Sequence, residues 1–496
     1  MARSSTEHRT VAYASSRGRG VLLASIVGSG MAFLDSTAVN VALPALGRDL
    51  GAGMAGLQWA VDAYLLTLGS LVLTGGALGD AWGQRKVFLL GLIAFTAMSV
   101  VCGLAPTASV LAIARAAQGI GAAMLVPTSL ALLRTAFPAV DRQRAVSAWA
   151  GLSGVSTAVG PLLGGWLVDT ASWRFVFFLN LPVSLLALWA AMRFVPDIAP
   201  ERDARTLDLR GAVTVALGLG GVIYALIEGP AHGWTSLSVS AAVGGVLLLG
   251  LFFYLEAHEP HPMLPLSLFH SRTFSGANLT TLAVYFALGG ALFLVVIALQ
   301  QQAGYSALAA GASMLPLTLI MMLLSPPVGR LAERIGARPL MVAGPLLAGA
   351  GLALLTRIHR GGDYVTTVLP GVVVLGIGLA LTVGPLTAVV LGSVEDKHAG
   401  VASGVNNAVA RIAGLLAVAL LPMLGGITGQ TPENFLGGMR RALWISAALC
   451  ALGALCAQLM LPKSTGKVER PRPEEDRAPV RPPLGRTPAP SGGGRS

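Results

Sequence analysis

Residues 21–46 read VLLASIVGSGMAFLDSTAVNVALPAL, an apolar run with one charged residue, Asp35. At a rise of 1.5 Å per residue, a helix of this length crosses a hydrocarbon layer about 30 Å thick. Thirteen similar blocks of 19 to 27 residues follow along the chain. The sequence therefore predicts an all-α integral membrane protein with 14 spanning helices.

The predicted spans are 21–46, 56–78, 87–106, 108–132, 145–168, 174–194, 210–228, 234–256, 274–300, 308–329, 338–357, 365–388, 401–424 and 439–461. An even number of spans places both termini on one side of the membrane. If that side is the cytoplasm, 26 of the 34 Lys and Arg residues lie inside, six lie outside and two lie within spans. The positive-inside rule therefore predicts a multi-pass membrane protein with both termini cytoplasmic. Only four of the 34 basic residues are Lys, and Ala and Gly abound, which fits a GC-rich bacterial genome, so the expected location is the bacterial cytoplasmic membrane.

Composition excludes several classes of function. Apolar residues make up 54% of the chain and charged residues 11%, against roughly 45–50% and 25% in a soluble domain. The net charge of +11 comes from basic residues in loops and tails, so no nucleic-acid partner is predicted. The three cysteines lie in apolar spans without a CxxC spacing, and no metal site or disulfide is expected. No ATP-binding P-loop occurs, so ATP is not the expected energy source. The predicted protein is not an enzyme and uses no cofactor.

Two motifs recur along the chain. GALGDAWGQR at 76–85 returns as GRLAERIGAR at 329–338, and the Gly-Ile-Gly-x-Ala of 119–123 returns at 376–380. These offsets predict two six-helix halves, the kind of repeat that transporters rock around a midplane site. The predicted organisation is a cytoplasmic arm (1–20), an N-terminal half (21–194), a linker with two extra spans (195–256), a C-terminal half (257–461) and a disordered tail (462–496).

Asp35 and Arg115 are opposite charges that both lie within predicted spans. A carboxylate near a helix centre costs about 2.5–3.5 kcal/mol, so Asp35 should face a cavity, find a partner or be protonated part of the time. The plainer alternative is a structural acid bonded to a neighbouring helix. Arg115, with Gln118 one turn away, must pair with a carboxylate, with backbone carbonyls or with an anionic substrate. Asp35 and Asp62 are the carboxylates available, and a purely structural ion pair remains an alternative.

Asp62 lies about six residues into its span, near the predicted outer surface. An interfacial acid at a helix end and a substrate contact are equally good interpretations of it. With Asp35 and Arg115 it completes the predicted set for proton and substrate coupling. The candidates for lining the transport pathway are Asn40, Gln118, Asn406, Asn407 and Arg411. No acid stands near Arg411 in the sequence, and its role is left open.

Two further groups carry predicted mechanical roles. Short loops after the second and tenth spans hold charges that could clamp one half against the other: the predicted clamp residues are Gly76, Asp80, Gly83, Arg85, Glu333 and Arg338. An ordinary loop obeying the positive-inside rule is the alternative. Gly160, Pro161, Gly164 and Gly165 remove one backbone donor and add three small residues, which predicts a kinked and closely packed helix. This segment could equally well be a simple kink or a seal for one side of a cavity.

These segments together resemble the fourteen-helix drug:proton antiporter branch of the major facilitator superfamily. The matching motifs, in order, are Asp35–Pro44, Gly76–Arg85, Arg115–Gly119, Gly160–Gly165, Trp173–Pro182 and the loop from Pro262 to Phe274. The resemblance implies the major facilitator fold, alternating access and export driven by proton entry, with Asp35 as protonation or substrate site, Arg115 tuning it and Asp80 anchoring the clamp. Ala81, Gln84 and Ser156 depart from the family pattern, and the tenth span lacks an internal acid.

The predicted function is therefore export of amphipathic drugs, antibiotics or a secondary metabolite by a proton-coupled antiporter. Its partners would be a small amphipathic organic substrate, protons and the lipid bilayer, and the protein would act as a monomer. A uniporter or symporter for a nutrient is the alternative within the same fold, although the motif at Gly160–Gly165 speaks against it. A membrane receptor or a channel is a different class, which the internal repeat and the absence of a folded signalling domain disfavour.

Overall fold

A computed structural model describes residues 10–197, 208–259, 262, 264–395, 399–427 and 432–463. These residues form helices joined by short loops, with no strand among them. Fourteen helices are long and apolar enough to cross a membrane, which confirms the fold class and the number of spans. The first nine residues and the tail from 464 onward lie outside the described residues, and so do most of the linker residues before the seventh helix.

The spanning helices are α1 Ser16–Asp49, α2 Met54–Trp82, α3 Gln84–Gly103, α4 Ala108–Ala136, α5 Ala139–Thr170, α6 Arg174–Phe194, α7 Leu209–His232, α8 Ser236–His258, α9 Arg272–Gln301, α10 Ala307–Ile335, α11 Ala337–Leu355, α12 Tyr364–Gly392, α13 Gly400–Gly425 and α14 Asn434–Met460. Several extend beyond the predicted spans. α5 begins six residues before the predicted 145 because Asp141, Arg142 and Arg144 continue the helix. Hydropathy detects only the apolar part of such a helix.

The same helix contacts recur in the first six and the last six helices. In the first set, α4 packs against α2 and α3, and α1 packs against α5 and α6; in the last set, α12 packs against α10 and α11, and α9 packs against α13 and α14. The boundaries of the predicted domains stay predictions.

The repeated Gly-Ile-Gly-x-Ala motif makes the same close contact in both sets. A methyl group at Gly121 of α4 would lie 2.6 Å from the Phe95 backbone nitrogen of α3, and one at Gly378 of α12 would overlap the Ala348 backbone nitrogen of α11. Small residues allow membrane helices to approach this closely. The motif therefore sets the spacing of equivalent helix pairs.

The two helices between these sets lie at one side of the bundle. α7 packs against α2 and α13, where Ile223 and Ile227 contact Leu415 and Ala419. α8 packs against α7, and most of its apolar side chains are exposed, as expected for a helix that faces lipid. The α7–α8 pair thus covers the seam between α2 of the first set and α13 of the last set.

We call the end of the bundle where α1 begins and α14 ends the terminal face, and the other end the opposite face. At the opposite face, the Asp169 carboxylate at the end of α5 accepts hydrogen bonds from the Ala307 and Leu308 backbone amides, at 2.9 and 2.8 Å. A methyl group at Gly165, one turn earlier, would lie 2.6 Å from the Leu308 Cα atom. The carboxylate therefore caps the start of α10 across the interface of the two sets.

Two glutamine side chains add to this closure. Gln300 Nε2 of α9 donates to the Val41 carbonyl of α1 at 2.8 Å. Gln58 Nε2 of α2 donates to the Val418 carbonyl of α13 at 2.7 Å. All of these bonds join the first six helices to the last six, and all lie toward the opposite face. The two sets are therefore joined at that face in this conformation.

Candidate functional site

The Asp35 cluster, which consists of Asp35, Arg115, Gln118, Asn180 and Ser99, is wholly buried among α1, α3, α4 and α6. Arg115 Nη1 donates to Asp35 Oδ2 at 2.5 Å. The other carboxylate oxygen, Oδ1, accepts bonds from Gln118 Nε2 at 3.1 Å and from Asn180 Nδ2 at 2.8 Å. Both oxygens of Asp35 are thus satisfied, so its charge is compensated by one cation and two amides.

Arg115 contacts several groups besides the Asp35 carboxylate. Its Nε donates to the Ala60 carbonyl of α2 at 3.0 Å, and its Nη1 also donates to Gln118 Oε1 at 2.7 Å. The Tyr64 ring lies beneath the guanidinium, 4.3 Å from Cζ to the ring centroid. A cation over an aromatic face is attracted by the ring quadrupole. The side chain therefore ties α4 to α1 and α2 at once.

Of the alternatives that the sequence left open for Asp35, the structure shows the one in which the carboxylate has a partner. Asp35 is 0% exposed and lines neither of the two cavities described below. Direct substrate contact therefore does not occur at Asp35 in this conformation. A role in proton coupling stays a prediction, as does the tuning role of Arg115.

Asp62 lies in α2, and its surroundings differ from those of Asp35. Asp62 is 0% exposed and lines neither cavity, and both interpretations of its role stay predictions. Neither of its carboxylate oxygens has a hydrogen-bond partner within the described residues. The position of a residue along a helix gives its depth in the membrane, but not whether another helix packs against it. Here neighbouring helices cover α2 up to its outer turns. A buried carboxyl group without donors is most stable as the neutral acid.

A cavity of about 400 Å³ lies between the two sets, toward the terminal face. Its walls differ in chemistry. The α12 wall is mainly aliphatic, the α13 wall is polar, and Phe33 of α1 and Tyr285 of α9 supply aromatic rings. The lining residues are Phe33, Tyr285, Val383, Leu386, Thr387, Val390, Leu391, Ser403, Asn406, Asn407, Ala410 and Arg411. Such a cavity offers an apolar face and a polar face to one bound molecule.

Three of the predicted pathway residues, Asn406, Asn407 and Arg411, line this cavity together. Asn406 Nδ2 donates to Thr281 Oγ1 at 2.7 Å, which fixes the amide against α9. The other two candidates do not line it. Gln118 belongs to the Asp35 cluster, and Asn40 is half-buried on α1 with its Oδ1 unpartnered among the described residues. The sequence gives the depth of each residue in the membrane, but not whether its side of the helix faces the cavity.

A second cavity of about 1,090 Å³ lies at the opposite face. Residues from α2, α7, α9 and α13 line it, among them Gln58, Trp59, Glu228 and Gln300. The Trp59 Nε1 group donates to Glu228 Oε1 at 2.7 Å, so α7 is bonded to α2 at its rim. Gln58 and Gln300, whose side chains bond across the interface of the two sets, lie in the wall of this cavity.

The two copies of the loop motif share their geometry. Gly83 and Gly336 have φ angles of 98° and 86°, a conformation that favours glycine, and each joins two helices. Arg85 donates to the Met192 carbonyl of α6 at 2.9 Å, and Arg338 donates to the Gln458 carbonyl of α14. These bonds lie within each set of six helices and not between the sets.

The remaining clamp residues lie at the same face. Asp80 accepts a bond from Gln84 Nε2 at 2.7 Å, Glu333 is exposed, and Gly76 lies beside Pro127 of α4. The clamp was predicted to pin the two halves together at the terminal face. In this conformation the halves are joined at the opposite face, and the clamp stays a prediction.

The glycine–proline segment of α5 contacts two helices. Methyl groups at Gly160 and Gly164 would collide with Thr37 and Ala38 of α1. On its other side, Gly165 and the Pro161 carbonyl lie against the start of α10. α5 thus packs closely in both directions near the opposite face. The kink itself stays a prediction.

Several residues of these sites were not predicted from the sequence. Asn180 belongs to the quoted Trp173–Pro182 motif, and its place in that motif was the available signal. Ser99 accepts a bond from Asn180 at 2.9 Å, yet a lone serine in an apolar span gives no signal. Phe33 and Tyr285 likewise look like ordinary apolar residues of a span.

Fourteen spanning helices, two equivalently packed sets and a cavity between them define a membrane transporter rather than an enzyme. The family model of the Major Facilitator Superfamily matches residues 26–418 and 318–491. The chain therefore belongs to the Major Facilitator Superfamily.

Relatives and solved structures agree with this assignment. The chain is 38% identical over 435 residues to "Multidrug resistance protein Stp" of Mycobacterium tuberculosis (strain CDC 1551 / Oshkosh), covering 86% of this chain and 76% of that protein. It is 35% identical over 404 residues to "Tetracenomycin C resistance and export protein" of Streptomyces glaucescens, covering 81% and 75%. A solved D-xylose-proton symporter has a TM-score of 0.66 at 15% identity, covering 91% of this chain and 100% of that one. This last likeness concerns the fold alone.

Proposed function

We propose that this protein exports amphipathic drugs or antibiotics across the bacterial cytoplasmic membrane in exchange for protons. The terminal face would lie in the cytoplasm, as the distribution of Lys and Arg predicts. The cavity between the two sets would then receive substrate from the cytoplasm. Rearrangement of the two sets would open it to the other side. The protein would act as a monomer, with the proton gradient as its energy source.

The observation that carries the proposal is the Asp35 cluster, a compensated intramembrane acid near the cavity between the sets. Polar and ionisable groups inside the membrane are costly and mark transport and proton pathways. Protonation of Asp35 would remove the charge that Arg115 now neutralises and would loosen the contacts among α1, α2 and α4. Relatives named for multidrug resistance and tetracenomycin export support the choice of cargo.

A growth assay should first identify a substrate. We expect a drug-sensitised host that produces the protein to tolerate at least one antibiotic of a panel that includes puromycin and aromatic polyketides. Everted membrane vesicles, whose lumen is acidified by respiration, then report exchange. Adding the substrate outside should release protons from the lumen, as a pH-sensitive dye would show.

Asp35→Asn should abolish this proton release, whereas Asp49→Asn should not. The control lies on the same helix but is exposed at the opposite face, where it pairs with Arg174 at 3.1 Å. The amount of folded protein in each vesicle preparation is measured in parallel. Export that continues undiminished after the proton gradient is collapsed would show that the antiport mechanism is wrong.

A further inference from the structure

We propose that Arg411 is a binding residue for an anionic group, so that the cavity prefers amphipathic substrates carrying a carboxylate or a comparable acidic group. This inference rests on the proposed export function for the role of the ligand as cargo. It adds a substrate class to that function. The observations that carry it are the position, the surroundings and the unpaired state of one guanidinium.

Arg411 lines the cavity from its polar α13 wall. It forms no ion pair and no side-chain hydrogen bond with any residue in the part of the chain that the structure describes. Arg115, by contrast, is buried and hydrogen-bonds to three residues, Asp35, Gln118 and Ala60. A guanidinium keeps its proton at every physiological pH, so Arg411 remains a cation that lacks a fixed counter-ion.

Within the part of the chain that the structure describes, no acid forms an ion pair with Arg411, and Asp62 of the neighbouring α2 has no hydrogen-bond partner. None of the residues that line the cavity is Asp or Glu. Asp35 already has its own cation, because Arg115 donates to it at 2.5 Å. The cavity therefore carries a net positive charge at its polar wall.

The rest of the cavity fits an amphipathic anion. Asn407 lies one turn away in the same wall and can add an amide group. The facing α12 wall, with Val383, Leu386 and other aliphatic side chains, suits an apolar body. Arg presents parallel N–H groups that match a carboxylate in two hydrogen bonds. An ammonium ligand would meet only repulsion from the same guanidinium.

Binding to the purified protein tests this preference without a proton gradient. The probes are a pyrene-bearing carboxylate, its primary carboxamide and the corresponding alkylammonium, measured by equilibrium dialysis against protein in nanodiscs and against empty nanodiscs. The wild-type protein should bind the carboxylate at least about tenfold more tightly than the carboxamide, as expected for a charge-assisted bidentate contact. The alkylammonium should bind more weakly than either.

Arg411→Gln should remove the preference for the carboxylate and leave carboxamide binding unchanged, whereas Arg411→Lys should retain part of it. Arg134→Gln is the matched control, because Arg134 is exposed at the end of α4, away from the cavity. Retained carboxamide binding shows that each variant is folded. The inference is wrong if the preference survives Arg411→Gln, if the alkylammonium binds best, or if no carboxylate binds at all. If the wild-type protein shows no preference for the carboxylate but still exports uncharged antibiotics in exchange for protons, this inference is wrong and the proposed function stands.

Discussion

At the scale of single residues, the two buried carboxyl groups of the first six helices differ in one respect that decides their chemistry. Asp35 has three donors, and Asp62 has none within the described residues. A compensated carboxylate depends on its cation, whereas an isolated buried carboxyl group is stable as the neutral acid. Substitution to Asn should therefore destabilise the protein much more at Asp35 than at Asp62.

We expect Asp35→Asn to reduce the stability of the protein strongly, because it leaves the Arg115 guanidinium buried without its anion. Breaking one member of a buried pair costs about 3–5 kcal/mol. The Asp35→Asn/Arg115→Gln double variant should recover a large part of this loss. Thermal unfolding in detergent, followed by tryptophan fluorescence, compares both variants with the wild-type protein. Equal losses in the single and double variants would contradict a direct ion pair.

Asp62→Asn should leave stability within about 1 kcal/mol of the wild-type value, since a neutral amide replaces a neutral acid of nearly the same shape. The same unfolding measurement applies, and the Asp35→Asn protein is the matched comparison. A loss at Asp62 as large as the loss at Asp35 would show that Asp62 is ionised and paired.

At the scale of helices, close contacts through glycine set the spacing of the bundle. Gly121 permits α4 to touch the backbone of α3, and the neighbouring atom is a backbone nitrogen that cannot turn away. We expect Gly121→Ala to cost about 1–3 kcal/mol through overpacking. Gly250→Ala on α8 is the control, because no atom lies within 4 Å of the added methyl group. Thermal unfolding of the two variants separates the effects, and equal melting temperatures would contradict the packing argument.

The helices were the part of the fold that the sequence predicted best. An apolar run of span length has one stable form in lipid, a helix with all its backbone groups bonded internally. Helix ends were less well predicted, as at Ala139 of α5, because charged residues continue a helix beyond the apolar layer. The site was predicted in part: the depth of Asp35, Arg115 and Arg411 can be read along one helix. The burial of Asp62 and the place of Ser99 depend on which other helix lies alongside, and no single span carries that information.

At the scale of the whole molecule, the two sets of six helices are joined at the opposite face and enclose a cavity toward the terminal face. Hydrogen bonds to a charged acceptor contribute about 1.5–3 kcal/mol each. Asp169 accepts two of them across the interface. Loss of the Asp169 carboxylate should therefore shift the population of protein molecules toward conformations that are open at the opposite face.

We expect Asp169→Ala to add a longer-distance component between spin labels at Arg48→Cys and Gln301→Cys. Both sites are exposed and lie on opposite sides of the interface. Double electron–electron resonance measures the distances in a background whose three native cysteines are replaced by serine. Asp141→Ala is the control, because that carboxylate accepts the Tyr13 amide within the first set. An unchanged distance distribution in Asp169→Ala would show that this bond does not hold the face closed.

The bond at Asp169 has a consequence for how the sequence can change over time. Its donors are backbone amides, which Ala307 and Leu308 would supply whatever side chains stood there, proline excepted. Substitutions at those two positions should thus be tolerated as long as they fit beside Gly165. Asp169 and Gly165 have no such freedom. Selection for this closure should therefore fall on the end of α5 and leave the start of α10 comparatively free to vary.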